Sequence, residues 1–600
     1  MRGILAVLTA GLLAMSGTAP VQAAEAAPAV RFDPLLALLP VGAPVNTAQA
    51  DADRAEKGKI RAAQQVSATA AAKTYAEKEP VGKSGLNDAV TTAESLLGFG
   101  SSPGRNPKAV ITGDLALGNV PKLPQAPEDN GAIPLAADIG THKIVEIPGV
   151  IGDGPHGSTG DGKGDFDFYK VPVAAAGTSL SVDVTAAGGL NAVVIMFTPT
   201  GSGFVYMDDP TSGNVTGTVS LPFAGDWHVM VSGWGTLPSD PTDPASGGGV
   251  GSEGPYNLRL SSGLDGDRDL YSVDLKAGDV LGATVNGSSR MLSFLDSAGT
   301  ELQTSSNDFS GSYSVNSPLP GGGNATVDLV APKTGRYVVA VRSGAGPYEM
   351  KLEVYRPETT SVQTLFLDFD GARVNTSIFG AGGAQRDLSP LKAFLAGWGL
   401  TAADESKLIN AVVATVKENF ALSNHVRSSA VRILNSRDHA DPFGRPNVSR
   451  VVVGGSVAES GISTIGIAQS IDPGNLGHEE TALLLLDYVS RPAPDPNSFN
   501  TFLAPGADKI AFIGRALGNY VSHEAGHFSG SWHTDQTNAT ANLMDQGGNP
   551  TQMVGAGPDG LGGNADDVDV DFTTDVYIAP FTGIEDTLTR TAWGYSRRGN

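Results

Sequence analysis

GDFDFYKVPV at 164–173 returns as GDRDLYSVDL at 266–275. The first block is followed by AGDWHVMV (224–231) and GPYNLRL (254–260), and the second, in the same order, by TGRYVVAV (334–341) and GPYEMKL (346–352). Three matched blocks in one order mark an internal duplication, a signal that outranks any single motif. Apolar and polar residues alternate through these blocks and through SLSVDVTA, VVIMFT, DVLGATV and TVDLVA, with Gly, Asn, Ser and Pro at the turns. Period-two runs bounded by turn residues predict antiparallel strands with one buried face. Their spacing predicts two antiparallel β-sandwich repeats, at 141–263 and 264–356. The first copy is longer because GTLPSDPTDPASGGGVGSE (235–253) precedes its last strand.

Six hundred residues exceed what one core accommodates, so further domains are expected around this pair. Lys and Arg number 40 against 63 Asp and Glu, a net charge of −23 with a pI near 4.7. An acidic surface repels phosphate backbones, so no nucleic-acid partner is expected. The chain has 77 Gly, 38 Pro and no Cys. Without cysteine, disulfides, zinc–thiolate sites and a cysteine nucleophile are excluded, and histidine must carry any transition-metal chemistry. MRGILAVLTAGLLAMSGTAPVQA (1–23) has a positive start, a short apolar stretch and small residues before a cleavage point, the pattern of a signal peptide. That stretch is too short for a permanent anchor. The expectation is a secreted, extracellular protein with no membrane anchor.

Residues 24–140 form a different segment, Ala-rich and polar at first and then rich in Pro, Gly and Asn. Their composition predicts a region partly helical or disordered, with one helix ending at Pro80 and a short second one over LNDAVTTAESLLGFG (86–100). It reads as a propeptide that masks an active site, or as a spacer.

Both repeats resemble the bacterial pre-peptidase C-terminal domain family, on Asp165, Asp167, Tyr169 and Val171 and then Asp267, Asp269, Tyr271 and Val273. The resemblance implies jelly-roll-like sandwiches that accompany secreted proteases, some with calcium or substrate-binding roles. Here an extracellular matrix or polymer is the implied partner. That family usually follows its catalytic domain, whereas these repeats precede the remaining chain. Aspartates at strand ends read by themselves as turn residues.

From about residue 361 the texture becomes α/β. VQTLFLDFDG, AVRILNS, SRVVVGG and TALLLLDYV read as buried strands, and TAADESKLINAVVATVKENFA as an amphipathic helix with Thr401 at its N-cap. DKIAFIGRALGNYVSHEAGH (508–527) reads as a helix ending at HEAGHFSGSWH (523–533), which holds three of the nine histidines. His523 and His527 are about one turn apart, so both imidazoles leave the same face. Glu524, rotated about 100° from His523, can flank a metal without binding it. Gly530 can end the helix in a left-handed turn and bring His533 back as a third ligand. These residues predict a zinc site with Glu524 as general base. The other six histidines, His142, His156, His228, His425, His439 and His478, read as ordinary hydrogen-bonded residues.

With H-E-x-x-H-x-x-G-x-x-H complete, residues 361–600 resemble the metzincin clan of zinc metallopeptidases. The resemblance implies zinc ligands His523, His527 and His533, general base Glu524, and Met544 of ANLMDQGG (541–548) as the methionine turn below the metal. IGIAQSID (465–472) would be a substrate-lining edge strand. Position 546 is Gln where some members carry a ligating tyrosine, which leans the placement toward matrixin-like members. The implied activity is endopeptidase cleavage of a protein or peptide substrate. A matrixin cysteine switch is impossible here, so a latent form must use a carboxylate, a histidine or steric cover.

GPDGLGGNADDVDVDF (557–572) offers Asp559, Asn564, Asp566, Asp567, Asp569 and Asp571 as oxygens for calcium, without the closing Glu of an EF-hand. The competing reading of the whole chain is an adhesin or matrix-binding protein that works through its sandwiches. The complete His/Glu set speaks against it.

Overall fold

The computed structural model describes residues 4–7, 35–40, 72–116, 120–142, 144–174, 178–209, 212–221, 223–262, 267–357, 362–379, 384–421, 431–547, 549–578 and 580–596. The helix expected to end at Pro80 is not formed where it is described, Lys73–Ala76 being a strand; its part before residue 72 and His425 lie outside the described residues, as does the expected leader apart from the strand Ile4–Val7. That strand pairs antiparallel with Gly203–Asp208. The chain is β-rich and multidomain, and no helix among the described residues is long and apolar enough to cross a membrane.

Each repeat block forms strands of a unit with two sheets. In the first unit one sheet centres on Ala192–Phe197, Gly225–Gly233 and Phe166–Val173, the other on Thr178–Ala186 and Gly254–Ser262. Tyr169, Trp227 and Val229 meet Val182, Leu258 and Leu260 in one buried cluster between them. The second unit repeats the pairing. Gly225 faces Val173 in the first unit, and Gly335 faces Leu275 in the second. The repeated tyrosines also meet alike, Tyr169 with Tyr256 and Tyr271 with Tyr348, each pair 2.6 Å apart at the hydroxyls.

The second unit is not continuous in sequence, and this corrects the expected boundaries. Lys108–Leu115 pairs antiparallel with Gly346–Tyr355, Lys73–Ala76 pairs with Lys108–Leu115, and Glu94–Ser95 pairs with Asp269–Leu275. Residues 72–116 therefore build the second unit, and the first unit, apart from the added strand Ile4–Val7, is nested between two of its strands. The helix expected over 86–100 is absent. Leu96 and Phe99 are buried in the core of the second unit, and Val90 and Ala93 pack on its outer face. Tertiary burial outweighs local helix propensity there.

The third unit is built on one mixed sheet. Its strands are β1 (Ala37–Leu38), β2 (Thr364–Asp368), β3 (Arg432–Asn435), β4 (Val448–Val453), β5 (Gly466–Ala468) and β6 (Thr481–Leu484). The order across the sheet is β1–β5–β6–β4–β2–β3. The four strands from β6 to β3 run parallel, β5 is antiparallel to β6, and β1 is antiparallel to β5. Alternate residues serve two faces. Leu365, Leu367, Val451, Val453 and Leu484 pack with helices α1 (Glu405–Ala421) and α2 (Lys509–His527). Val452, Ile467 and Leu483 share a second cluster with Phe309, Tyr313 and Val330 of the preceding unit. A sheet covered on both sides explains the near-continuous apolar strands.

Helix α1 starts at Glu405 rather than at Thr401. The Thr401 amide and hydroxyl donate to the Asp404 carboxylate at 3.0 and 2.8 Å, so Thr401 closes a turn before the helix instead of capping it. Helix α2 is capped by Asp508, whose carboxylate accepts from the Ile510 and Ala511 amides. Gly514 and Gly518 bring the two helices together. A Cβ at Gly518 would stand 2.5 Å from the Thr415 Cβ.

Candidate metal centre

Helix α2 carries His523 and His527 on one face, and Gly530 turns the chain after it. Gly530 has φ +96°, and its Cα lies so close to Pro473 that a Cβ would stand 2.4 Å from that residue's Cα. The Gly530 amide donates to the His527 carbonyl, and the Ser531 amide to that of Gly526. The three imidazole centroids then stand 4.9, 5.1 and 4.9 Å apart. Their ligating nitrogens all fall within 4.8 Å of one another.

Each helical imidazole is oriented by a carbonyl. His523 Nδ1 donates to the Leu543 carbonyl at 2.7 Å, and His527 Nδ1 to that of Ser531 at 2.8 Å. A ring that donates through Nδ1 keeps its Nε2 lone pair for a cation. His533 Nε2 lies 3.2 Å from His523 Nε2. A tetrahedral ion with nitrogen ligands at its usual bond length holds two of them about 3.3 Å apart. His523, Glu524 and His527 are fully buried and His533 is 3% exposed. Burial first, and then the neighbouring imidazoles, hold His523 and His533 well below the usual histidine range. Neutral rings are what a divalent cation requires.

Met544 lies directly beneath. A Cβ on Gly526 would stand 2.4 Å from its Sδ. The turn that carries Met544 also supplies the Leu543 carbonyl that orients His523, and the Met544 carbonyl accepts from the Thr534 amide. The neighbouring Trp532 donates from its indole to Asp328 of the second unit at 2.8 Å. Asp328 in turn meets Arg590, which also donates to the Gly530 carbonyl.

Neither carboxylate oxygen of Glu524 has a protein partner, and burial raises its pKa well above the usual range. Such a group is costly unless a cation or a proton balances it. Glu524 abuts strand β5: a Cβ on Gly466 would stand 2.0 Å from Glu524 Oε1. Gly466→Ala is therefore expected to displace the Glu524 carboxylate. Metal content and melting temperature should stay close to wild type while the carboxylate moves. A crystal structure of the variant alongside metal analysis checks this, and an unmoved Glu524 would dismiss the contact.

The six oxygen donors expected over 557–572 do not converge. Asn564 donates to Asp559 at 2.9 Å, Asp567 pairs with Arg515 at 2.5 Å, and Asp566 packs against Gly557. Asp569 and Asp571 group instead with Glu418 of α1, whose pKa is raised by burial and by those two aspartates. Of the remaining described histidines, His478 is hydrogen-bonded through both nitrogens, to Asn447 and Asn475.

Two acidic groups were not legible in the sequence. Glu128, Asp153 and Asp165 converge in the first unit. Glu77, Glu79, Asp88, Asp267 and Asp269 form two overlapping triads in the second. Asp165, Asp167 and Asp269 are thus interior residues rather than turn residues, and Asp267 is half-buried. Asp167 is pushed up to about 8 by burial, and Asp269 to about 9 by burial and the neighbouring Glu77. Asp269 is fully buried with its Oδ2 unpartnered. The D-x-D pairs were visible, but their glutamate partners lie far away in sequence.

No family model matches this chain, and no curated protein does. Among solved structures, the periplasmic inhibitor of g-type lysozyme PliG from Aeromonas hydrophila aligns at 16% identity over 24% of this chain and 98% of its own, with a TM-score of 0.14. PliG from Salmonella Typhimurium aligns at 16% identity over 21% and 97%, TM-score 0.13. The PBSX exported protein XepA aligns at 8% identity over 31% and 81%, TM-score 0.10.

Proposed function

We propose that this chain is a secreted zinc endopeptidase of the metzincin type, preceded by two sandwich units that bind calcium. One observation carries the reading: three buried imidazoles converge on one point beside a buried carboxylate with no protein partner. His523, His527 and His533 would hold the zinc. The ion supplies Lewis acidity to a water and to a peptide carbonyl. Glu524, with its basicity raised by burial, takes a proton from the water and hands it to the leaving amine. The Leu543 and Ser531 carbonyls keep two of the imidazoles in the ligating tautomer. Activity on a casein zymogram, lost with a zinc chelator and restored by zinc, tests the reading. A metal-free purified protein with no chelator-sensitive activity would end it.

The acidic groups fit the calcium that the family resemblance implies. Glu128, Asp153 and Asp165 would hold one ion, and Glu77, Glu79, Asp88, Asp267 and Asp269 would supply the donors of the second unit. Unpartnered buried oxygens on Asp267 and Asp269 favour a hard cation there. The shifts set a pH dependence. Asp167, near 8 when folded, has an ordinary carboxylate value when unfolded. Between those values the folded state keeps a proton that the unfolded state has lost, so stability falls as pH rises through this window. Without divalent cations, the melting temperature is expected to drop by several degrees from pH 5 to pH 8. Calcium should restore it at pH 8. Calorimetry across that range checks both, and a calcium-insensitive melting point would remove the calcium assignment.

A further inference from the structure

The metal centre is sealed. Three of its four residues are fully buried, so no peptide can reach it until something moves. The element on the spot is the strand furthest away in sequence. Residues 35–40, LLALLP, lie along the edge of β5 that β6 leaves open. Ala37 pairs with Ile467 and Leu38 with Gly466, antiparallel. The Leu38 carbonyl accepts from the Ile465 amide and the Thr464 hydroxyl, both at 2.9 Å. Gly466 is the residue that abuts Glu524, so Leu38 lies one strand spacing, about 4.8 Å, from the residue that the base touches. The Leu38 side chain is fully buried in the cluster that holds Leu543 and Met544. It touches Gly547, three residues past the methionine: a Cβ there would stand 2.5 Å from Leu38 Cδ1.

We infer that residues 35–40 are an internal pseudosubstrate, bound along β5 as an extended peptide, and that Leu38 marks a leucine-sized subsite which substrates occupy once the segment leaves. The inference rests on the peptidase reading. Addition of a strand to an open sheet edge is a general mode of peptide capture, with backbone bonds giving affinity and side-chain pockets giving selectivity. Among the described strands the segment pairs with β5 alone. Its departure costs those units no pairing, whereas removal of residues 72–116 would tear strands out of the second unit. The selected substrate is therefore an extended peptide with an unbranched-to-leucine-sized apolar residue beside the reacting bond. Gly547, at φ +87°, keeps that pocket open.

The test uses the full chain with Leu38→Asp and the milder Leu38→Ala. Two readouts are independent of activity: deuterium exchange at the Ile465 amide, and the rate of zinc loss to a chelator. Both are expected to rise about tenfold or more in Leu38→Asp and less in Leu38→Ala, because a buried leucine anchors the strand. Activity of the unprocessed chain on a quenched peptide with a central Leu should rise in the same order. The same peptide with Asp in that position should stay uncut, and added LLALLP peptide should inhibit competitively. If exchange and zinc loss match wild type in both variants, and wild type already cuts the Leu peptide as fast, the pseudosubstrate falls while the peptidase stands. If exchange rises but no variant cuts any peptide with zinc bound, the peptidase reading falls, and this inference with it. Equal cleavage of the Leu and Asp peptides would overturn the subsite.

Discussion

Glu524→Gln is expected to bind zinc as wild type does and to lose peptidase activity by a factor on the order of 10²–10⁴, the range that a positioned general base contributes. The amide keeps the shape of the carboxylate and its place against Gly466, but cannot accept the proton. The fold should not suffer. Glu524 is fully buried with two unpartnered oxygens and a raised pKa, so a neutral isostere removes a buried charge rather than a bond. The variant should melt at or above the wild-type temperature. Metal content, melting temperature and kcat measured together separate this role from a structural one. Substantial residual casein cleavage by the zinc-loaded variant would remove Glu524 from the mechanism.

Arg590→Leu should have the largest effect on stability. Its guanidinium pairs with Asp328 of the second unit and with Glu585 at 2.9 Å, with all three side chains nearly inaccessible. It also donates to the Gly530 carbonyl at 3.0 Å and to the Tyr577 hydroxyl at 3.2 Å. Burial lifts Glu585 to about 7 even with Arg590 beside it, so this carboxylate is held at a cost. Removing the cation strands two buried acids, a loss of about 3–5 kcal/mol, or a fall of roughly 10 °C in melting temperature. Because Gly530 sets the turn that returns His533, zinc affinity should fall as well. Thermal denaturation and zinc titration check the two effects. A melting point within a degree of wild type would mean that the ion cluster does not join the units. The same cluster bears on maturation. With Trp532 hydrogen-bonded to Asp328, the second unit frames the loop that carries His533, and its removal would expose the apolar face of β4, β5 and β6 that Phe309 and Tyr313 cover.

What could be read from the chain alone was whatever depends on short separations. The H-E-x-x-H spacing places two imidazoles on one helical face through helix geometry alone, and a glycine three residues on is enough to end the helix. Strands β2, β3, β4 and β6 and the repeat blocks were legible for the same reason: period-two alternation and continuous apolar runs are local signals. Thr401 failed as a cap because Asp404, three residues away, competes for its donors.

Long-range pairing was decided only by the tertiary structure. KAVITGDL (108–115) alternates like any edge strand, and nothing near it announces a partner beyond residue 345 or another unit inserted between the two. The glutamates that meet the repeated aspartates, the arginine that joins two units and the leucine strand laid across β5 are likewise products of distant chain segments. Hydrophobic burial and cross-strand bonding choose those partners, and neither force leaves a trace in the spacing of neighbouring residues.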